Sequence, residues 1–154
     1  VNWRGNSDTE TIVALLDSFG PKETIIKLNG MFAIAIWDIV DKKLVLARDR
    51  FGEKPLYYGY NNGSFVFASE LKSIKVIPGL DLKISQKSVQ LQCQFSYVPG
   101  PFSIYEDIFK LEPGCILELS LSDLKKSYKG KTKKYWSAYD IASFGLINKI
   151  KLNY

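Results

Sequence analysis

The stretch between residues 28 and 75 constrains the fold of this 154-residue chain more than any other part of it. Residues 31–40 form an almost unbroken apolar run, which predicts a strand covered on both faces. Asn61-Asn62-Gly63 predicts a tight hairpin, because Asn and Gly tolerate positive φ angles. The predicted strands of this stretch are residues 31–40, 44–47, 56–60 and 64–68.

The segment before this stretch has the signals of a capped helix. Ser7-Asp8-Thr9-Glu10 fits the S-x-x-E capping box, and apolar residues follow it at helical spacing. Gly20-Pro21 predicts the end of that helix, and Pro21 can open a second short one. We therefore predict two consecutive helices before the first strand.

The second half of the chain is less regular. Residues 89–97 alternate between apolar and polar side chains, which favours a strand, although Ser85 could instead cap a helix with Val89 and Cys93 four residues apart. Further strands are predicted at residues 108–111, 115–119 and 134–136. Residues 137–154 resemble a linker or a docking segment. Together, the predicted helices and strands indicate an α+β domain in which antiparallel hairpins pack against helices in layers.

The composition excludes several classes of protein. The chain has no histidine, which removes His-based catalytic triads and most zinc sites. Its two cysteines, Cys93 and Cys115, are too few for a disulfide framework, and we predict that both are buried free thiols. No apolar run approaches the roughly 20 residues that a membrane helix needs. The chain begins at Val1, which favours a piece cut from a longer protein.

Much of the net charge of +5 comes from one group of lysines. A solvated hairpin or loop is favoured over a nucleic-acid surface, since no stacking module surrounds these residues. The lysines of this group are Lys125, Lys126, Lys129, Lys131, Lys133 and Lys134.

Three places could carry chemistry, and each has a structural alternative. Asp8, in the first turn of a helix, either complements the helix dipole or receives a ligand ammonium group. Arg48-Asp49-Arg50 is either an ion-pair cluster that fixes the bend, or a wall of a site or a domain contact. Ser69 is predicted to cap a short helix, and Glu70 in its first turn is either structural or catalytic.

Several motifs, taken in order, resemble the asparagine synthase (glutamine-hydrolysing) family. They match the N-terminal glutaminase domain, a class II glutamine amidotransferase domain of the N-terminal-nucleophile fold, over roughly residues 3–138. The motifs are G-N-S-D-T-E (5–10), L-N-G-M-F-A-I-A-I-W-D (28–38), A-R-D-R-F-G-E-K-P-L-Y-Y (47–58), F-A-S-E-L-K-S-I (67–74), P-G-P-F-S-I-Y-E-D-I-F-K-L-E-P-G (99–114) and Y-W-S (135–137).

The resemblance implies a fold and a domain plan. The fold would be an antiparallel two-sheet αββα sandwich of the N-terminal-nucleophile hydrolase type, as a partial domain over residues 1–136. Residues 137–154 would then be a linker toward an ATP-dependent synthetase domain that this chain lacks. The resemblance also places a helix just before Pro99, against the strand favoured by alternation.

The resemblance further implies a mechanism. In such enzymes an N-terminal cysteine attacks the side-chain amide of glutamine, with its own α-amino group as the base. Asp8 matches the aspartate that holds the glutamine α-amino group. The released ammonia would reach the synthetase domain, where ATP and Mg²⁺ support the amidation of aspartate.

Because Val1 is not a nucleophile, we expect no catalytic residue and no glutamine hydrolysis in this chain alone, and no cofactor in it. The expected partners are glutamine, the protein's own synthetase domain and a second copy in a homodimer, with no nucleic acid and no membrane. A cytoplasmic location is expected. The expected stability is marginal, because strands lost from the domain would leave open sheet edges.

Two alternatives remain at the level of sequence. A related amidotransferase could serve a different acceptor, in cell-surface polysaccharide or secondary metabolism. The chain could also be a non-catalytic remnant that serves as a docking module.

Overall fold

The computed structural model describes residues 4–125, without the side chain of Lys125, and residues 131–148. The chain divides into two compact units, residues 1–30 and 31–154. Helices and antiparallel strands are both present, so the predicted α+β class is confirmed. Among the described residues, no helix is long and apolar enough to cross a membrane.

The first unit contains α1, Asp8–Lys27. Ser7 is its N-cap, and its hydroxyl accepts a hydrogen bond from the backbone N–H of Thr9. The helix is interrupted at Gly20, where φ is 72° and ψ is 171°. Pro21 follows at once and opens the second helical segment, because its fixed φ suits a helix start and its missing N–H is no loss there. The predicted break at Gly20-Pro21 is confirmed.

The second unit contains two antiparallel sheets, of four and three strands. The four-stranded sheet has the order β1-β2-β6-β7 and the three-stranded sheet the order β4-β3-β5. The elements are β1 Ala33–Asp38, β2 Lys43–Arg48, β3 Tyr57–Asn61, β4 Ser64–Ala68, α2 Leu71–Lys75, α3 Gln86–Phe95, β5 Ile108–Lys110, β6 Cys115–Ser120, α4 Leu121–Lys125, β7 Thr132–Lys134 and α5 Ala138–Ile147.

The main core of this unit lies between the two sheets. Leu44 and Leu46 of β2 pair in register with Leu119 and Leu117 of β6, and all four side chains are buried. Tyr58 of β3 belongs to the same cluster from the other sheet. Since alternate residues of a strand point to opposite faces, this pairing places one apolar row of each strand in the core.

The hairpin between β3 and β4 forms where the sequence predicts it. Asn62 and Gly63 have φ angles of 47° and 77°, and Asn61 pairs with Ser64. The asparagine side chains also hold a second segment: Asn61 Nδ2 donates to Asp81 O at 2.8 Å, and Asn62 Nδ2 donates to Gly79 O at 2.7 Å. The turn therefore fixes both the strand register and the loop that follows α2.

The strand predicted over residues 31–40 is shorter and less covered than expected. β1 spans Ala33–Asp38, and Ala35 and Trp37 are exposed while Ile34 and Ile36 are half-buried. The run ends in a turn that exposes Ile39 and Val40. The prediction of burial on both faces was wrong, because an apolar run does not state what packs on each face. The strand with the continuous buried stretch is β2.

The strand favoured for residues 89–97 was also wrong, and the helical alternative is confirmed. α3 spans Gln86–Phe95, and the Ser85 hydroxyl accepts from the backbone N–H of Ser88 at 3.2 Å. Ser96, in the left-handed region at φ 64°, ends the helix. The polar positions of the alternating pattern are mostly glutamines, which fit a helix as well as a strand. The Ser85 cap therefore determines that the segment is a helix.

One expectation about a single residue and one about a strand also differ from the structure. Cys115 is buried as predicted, whereas Cys93 is exposed on α3, because the helix turns it away from the core. The last predicted strand lies at Thr132–Lys134, two residues earlier than expected.

The lysine group is described only in part. Lys131, Lys133 and Lys134 are exposed, and Lys133 pairs with Glu118 at 3.1 Å. The Lys125 side chain and the backbones of Lys126 and Lys129 lie outside the described residues, as do residues 149–154.

Candidate functional site

The carboxylate of Asp8 is held by one of its two oxygens. Asp8 is the first residue of α1, and its Oδ1 accepts from the backbone N–H of Thr9 at 2.8 Å. The hydroxyls of Ser7 and Thr9 also approach Oδ1, at 3.4 and 3.5 Å. Within the described residues Oδ2 accepts no hydrogen bond, and the side chain is exposed. One oxygen is thus held by neighbouring backbone and hydroxyl groups, and the other makes no hydrogen bond to the described residues.

The capping box closes in an extended form. Ser7 Oγ accepts from the backbone N–H of Thr9 at 3.1 Å. The Glu10 carboxylate reaches back past the cap: Oε1 accepts from the N–H of Arg4 at 2.7 Å, and Oε2 from that of Gly5 at 2.8 Å. The S-x-x-E motif predicts a cap, but it does not predict that Glu10 binds the segment before the helix.

Arg48 is bound to the main chain of the bend. Its Nε donates to Lys54 O at 2.7 Å, its Nη1 to Leu111 O at 2.7 Å and its Nη2 to Gly52 O at 2.5 Å. Burial lowers the pKa of Arg48, and the charge of Asp49 opposes this shift. These bonds favour the structural alternative for Arg48, whereas a role as a site wall stays a prediction.

Asp49 is the buried centre of the same bend. Its side chain is only 1% exposed. Backbone N–H groups donate to its carboxylate from Phe32 (3.3 Å), Phe51 (3.1 Å), Glu53 (2.9 Å) and Lys54 (3.0 Å). Burial raises the pKa of Asp49, but the backbone hydrogen bonds outweigh it and leave that pKa below its ordinary value. The carboxylate is therefore a charged structural group.

Tyr135 closes the bend from the C-terminal side, since its hydroxyl donates to Arg48 O at 2.9 Å. Burial, followed by the charge of Asp49, raises the pKa of Tyr135 from 10.0 to about 12. The folded state therefore holds this proton more tightly than the unfolded state does. The resulting stability is complete below pH 10 and is lost as the pH rises toward 12.

The variant Tyr135→Phe is expected to unfold more easily by about 1 kcal/mol at pH 7, because one hydrogen bond is lost. Its stability should also fall less steeply than that of the wild type between pH 10 and about 12. Urea unfolding at several pH values measures both effects. Tyr139→Phe is the control, since that side chain is 78% exposed. An unchanged alkaline slope in Tyr135→Phe would contradict the assignment.

The remaining candidate residues are Arg50 and Glu70. Arg50 lines an open cleft of about 350 Å³ together with Phe51, Glu112, Lys134 and Trp136. Glu70 is exposed and pairs with Lys72 at 2.6 Å. The expected cap by Ser69 was wrong: Glu70 is the N-cap residue of α2, and no side chain caps that helix end. Because both charges of the Glu70–Lys72 pair are exposed, the pair contributes little stability.

The described residues supply neither an activated thiol nor a metal centre. The Cys115 thiol is buried, and burial raises its pKa, which makes it a poor nucleophile. No group of three or more metal-ligating side chains occurs among the residues described. Asp8 lies in the first unit, and Arg48, Asp49, Arg50 and Glu70 lie in the second.

The described residues combine helices with two antiparallel sheets, and Asp8 lies at the capped start of α1. The family model described as "Glutamine amidotransferase domain" matches residues 1–136. The chain belongs to this family of glutamine amidotransferase domains.

The chain is also similar to curated proteins. The chain is 34% identical over 138 residues, 87% of its length, to "Putative asparagine synthetase [glutamine-hydrolyzing] 2" of Methanocaldococcus jannaschii, and covers 27% of that protein. It is 41% identical to "Asparagine synthetase [glutamine-hydrolyzing] 1" of Bacillus subtilis, with 71% of the chain and 17% of that relative covered. It is 34% identical to "Amidase chry2" of Gibberella zeae, with 71% and 16% covered. The chain thus spans about a quarter or less of these relatives.

Proposed function

We propose that this chain is the glutamine-hydrolysing part of an asparagine synthase and has the αββα sandwich of the N-terminal-nucleophile type. The observation that carries the proposal is the Asp8 carboxylate at the capped start of α1, where Oδ1 accepts from the Thr9 N–H at 2.8 Å. The family match over residues 1–136 and the names of the relatives support it. The predicted domain limits, residues 1–136, and the predicted linker, residues 137–154, belong to the same proposal.

The role of Asp8 follows from its charge. A carboxylate that accepts a hydrogen bond from an ammonium group makes a charge-assisted contact, which is stronger than a neutral one. Asp8 would bind the α-ammonium of glutamine through Oδ2 and orient the substrate. An N-terminal cysteine of the whole protein would attack the side-chain amide, and its α-amino group would take the thiol proton and pass it to the departing amide nitrogen. This step yields ammonia and an enzyme-bound glutamyl thioester.

The remainder of the whole protein would use that ammonia. ATP would activate the aspartate side chain there with Mg²⁺, so neither group calls for ligands in this chain. Such an enzyme works where ATP and aspartate are abundant, which favours the cytoplasm. A homodimer stays a prediction.

The test is Asp8→Asn in the full-length protein. The amide keeps an acceptor oxygen for the Thr9 N–H but loses the charge. We expect the KM for glutamine to rise about 10- to 100-fold, because one charged hydrogen bond is lost. The rate of ammonia-dependent synthesis should stay within about twofold, because ammonia needs no glutamine site.

Asp17→Asn is the matched control, since Asp17 is an exposed carboxylate on the same helix. It should leave both activities unchanged. If Asp8→Asn reduced glutamine- and ammonia-dependent synthesis equally, the proposed substrate role of Asp8 would be wrong.

One observation favours a second candidate function. A relative that matches 71% of the chain is named an amidase and not an asparagine synthetase. The same glutaminase part could therefore serve a different acceptor. Ammonia-dependent product formation with aspartate, compared with other carboxylic acids, separates the two. A docking module without catalytic activity would hydrolyse no glutamine.

A further inference from the structure

The segment that leads into α1 is closed by one side chain. The Glu10 carboxylate takes one donor on each oxygen, from Arg4 N at 2.7 Å and from Gly5 N at 2.8 Å. An ordinary capping box would satisfy the N–H of the cap residue itself. Here the carboxylate holds two residues outside the helix, so it acts on the incoming chain as well as on the helix end.

The clamp encloses Asp8. The two bonds close residues 4 to 10 into a ring across the start of α1, and Ser7 and Asp8 lie between its ends. Two shorter-range bonds support it from inside: Glu10 N donates to Ser7 O at 3.2 Å, and Thr9 N donates to Ser7 Oγ at 3.1 Å. With the backbone fixed on both sides of Asp8, its carboxylate has few directions left to take.

The fit between Gly5 and Glu10 is close. A Cβ at residue 5 would lie 3.3 Å from Glu10 Oε2, which is a tight contact. The donors, the N–H groups of Arg4 and Gly5, lie outside regular secondary structure. A charged acceptor makes stronger hydrogen bonds with such groups than a neutral one does. The clamp therefore depends on the charge of Glu10, and an alanine at residue 5 would make the Glu10 carboxylate shift by a few tenths of an ångström.

We infer that Glu10 is a positioning residue for glutamine recognition, which acts through Asp8 and does not touch the substrate. This inference rests on the proposed role of Asp8. The ligand class at Asp8 is a free α-ammonium group, and Glu10 sets the direction from which Asp8 meets it. Losing the clamp lets this segment move, so that part of the binding energy is spent on ordering it.

The first test is Glu10→Gln in the full-length protein. The amide nitrogen would face one of the two N–H donors, which opens half of the clamp. We expect the KM for glutamine to rise about fivefold, as for one lost hydrogen bond, and ammonia-dependent synthesis to stay unchanged. Glu23→Gln, an exposed carboxylate on the same helix, is the control and should change neither.

A double-mutant cycle separates positioning from general helix stability. In the Asp8→Asn background, Glu10→Gln should change the KM for glutamine by less than about twofold, because its route of action is already lost. Gly5→Ala provides a second variant, which crowds Glu10 Oε2 and should raise the same KM in the wild-type background only. Thermal unfolding of each variant shows whether it folds.

The outcomes distinguish this inference from the proposal beneath it. If Asp8→Asn leaves the KM for glutamine unchanged, the proposed function fails first. If Asp8→Asn behaves as expected but Glu10→Gln and Gly5→Ala leave the KM unchanged, only the positioning role is refuted. The positioning role is also refuted if their effects add fully to that of Asp8→Asn, or if they lower ammonia-dependent synthesis equally.

Discussion

Asp49→Ala is expected to lower the free energy of unfolding by about 4 kcal/mol, enough to unfold many small domains. The substitution removes the common acceptor of four backbone N–H groups, from Phe32, Phe51, Glu53 and Lys54. Asp49 is only 1% exposed, so water cannot take over these bonds without opening the bend. Urea unfolding at pH 7, followed by tryptophan fluorescence, measures the loss.

Asp38→Ala is the matched control for this variant. Asp38 Oδ1 also accepts from two backbone N–H groups, of Val40 at 2.9 Å and Asp41 at 2.8 Å. That turn is exposed, so water replaces the lost acceptor, and the expected loss is about 1 kcal/mol or less. Similar losses in the two variants would show that burial of the Asp49 carboxylate does not matter.

The free energy of unfolding at acidic pH provides a second measurement on Asp49→Ala. The backbone hydrogen bonds keep the pKa of Asp49 below its ordinary 3.8 despite burial. The stability from this group is present above pH 3.8 and is lost as the pH falls through the lower folded-state pKa. Asp49→Ala should therefore lose less stability than the wild type on acidification below about pH 4.

The parts of the fold that the sequence predicts well are those set by local chemistry. The β3–β4 hairpin follows from Asn61-Asn62-Gly63, whose residues accept the positive φ angles that the turn needs. The break in α1 follows from Gly20-Pro21 in the same way. β2 and β6 lie within a residue of their predicted limits, because each is a short apolar run between turns.

The parts that failed have two causes: two local signals that conflict, and packing partners that are distant in sequence. The alternation in residues 89–97 favours a strand, but the Ser85 cap and the helical spacing of Val89 and Cys93 prevail. The exposure of Trp37 in β1 depends on what packs on each face of the sheet, which a run of apolar letters does not encode. Exposure of Cys93 follows from the same change of element.

The candidate site shows the same division. The S-D-x-E motif suffices to place Asp8 at a helix start, because capping is local. The charged triplet 48–50 predicts a fixed bend, but it does not predict which backbone groups Arg48 and Asp49 bind. One of these hydrogen bonds joins Arg48 to Leu111 O across 63 residues of sequence. No local sequence pattern predicts a hydrogen bond to a carbonyl that far along the chain.

Gly59→Ala should lower the free energy of unfolding by about 3 kcal/mol, the largest expected loss after that of Asp49→Ala. Gly59 lies in the middle of β3, where it pairs with Val66 of β4 and Ile108 of β5. A Cβ there would overlap the carbonyl oxygen of Asp107 and lie 2.9 Å from Ile108 Cδ1. Since the carbonyl is main chain, it cannot swing aside, and β5 would have to move away from β3.

Gly63→Ala separates this close approach from the general loss of a glycine. Gly63 has a φ of +77° and nothing within 4 Å of its Cβ position, so alanine there meets only the backbone penalty, about 1–2 kcal/mol. Urea unfolding of both variants compares the two directly. If Gly59→Ala were no worse than Gly63→Ala, β5 would not pass as close to β3 as described. A larger loss of stability in Gly59→Ala than in Gly63→Ala would show that β3 and β5 are in close backbone contact at Gly59.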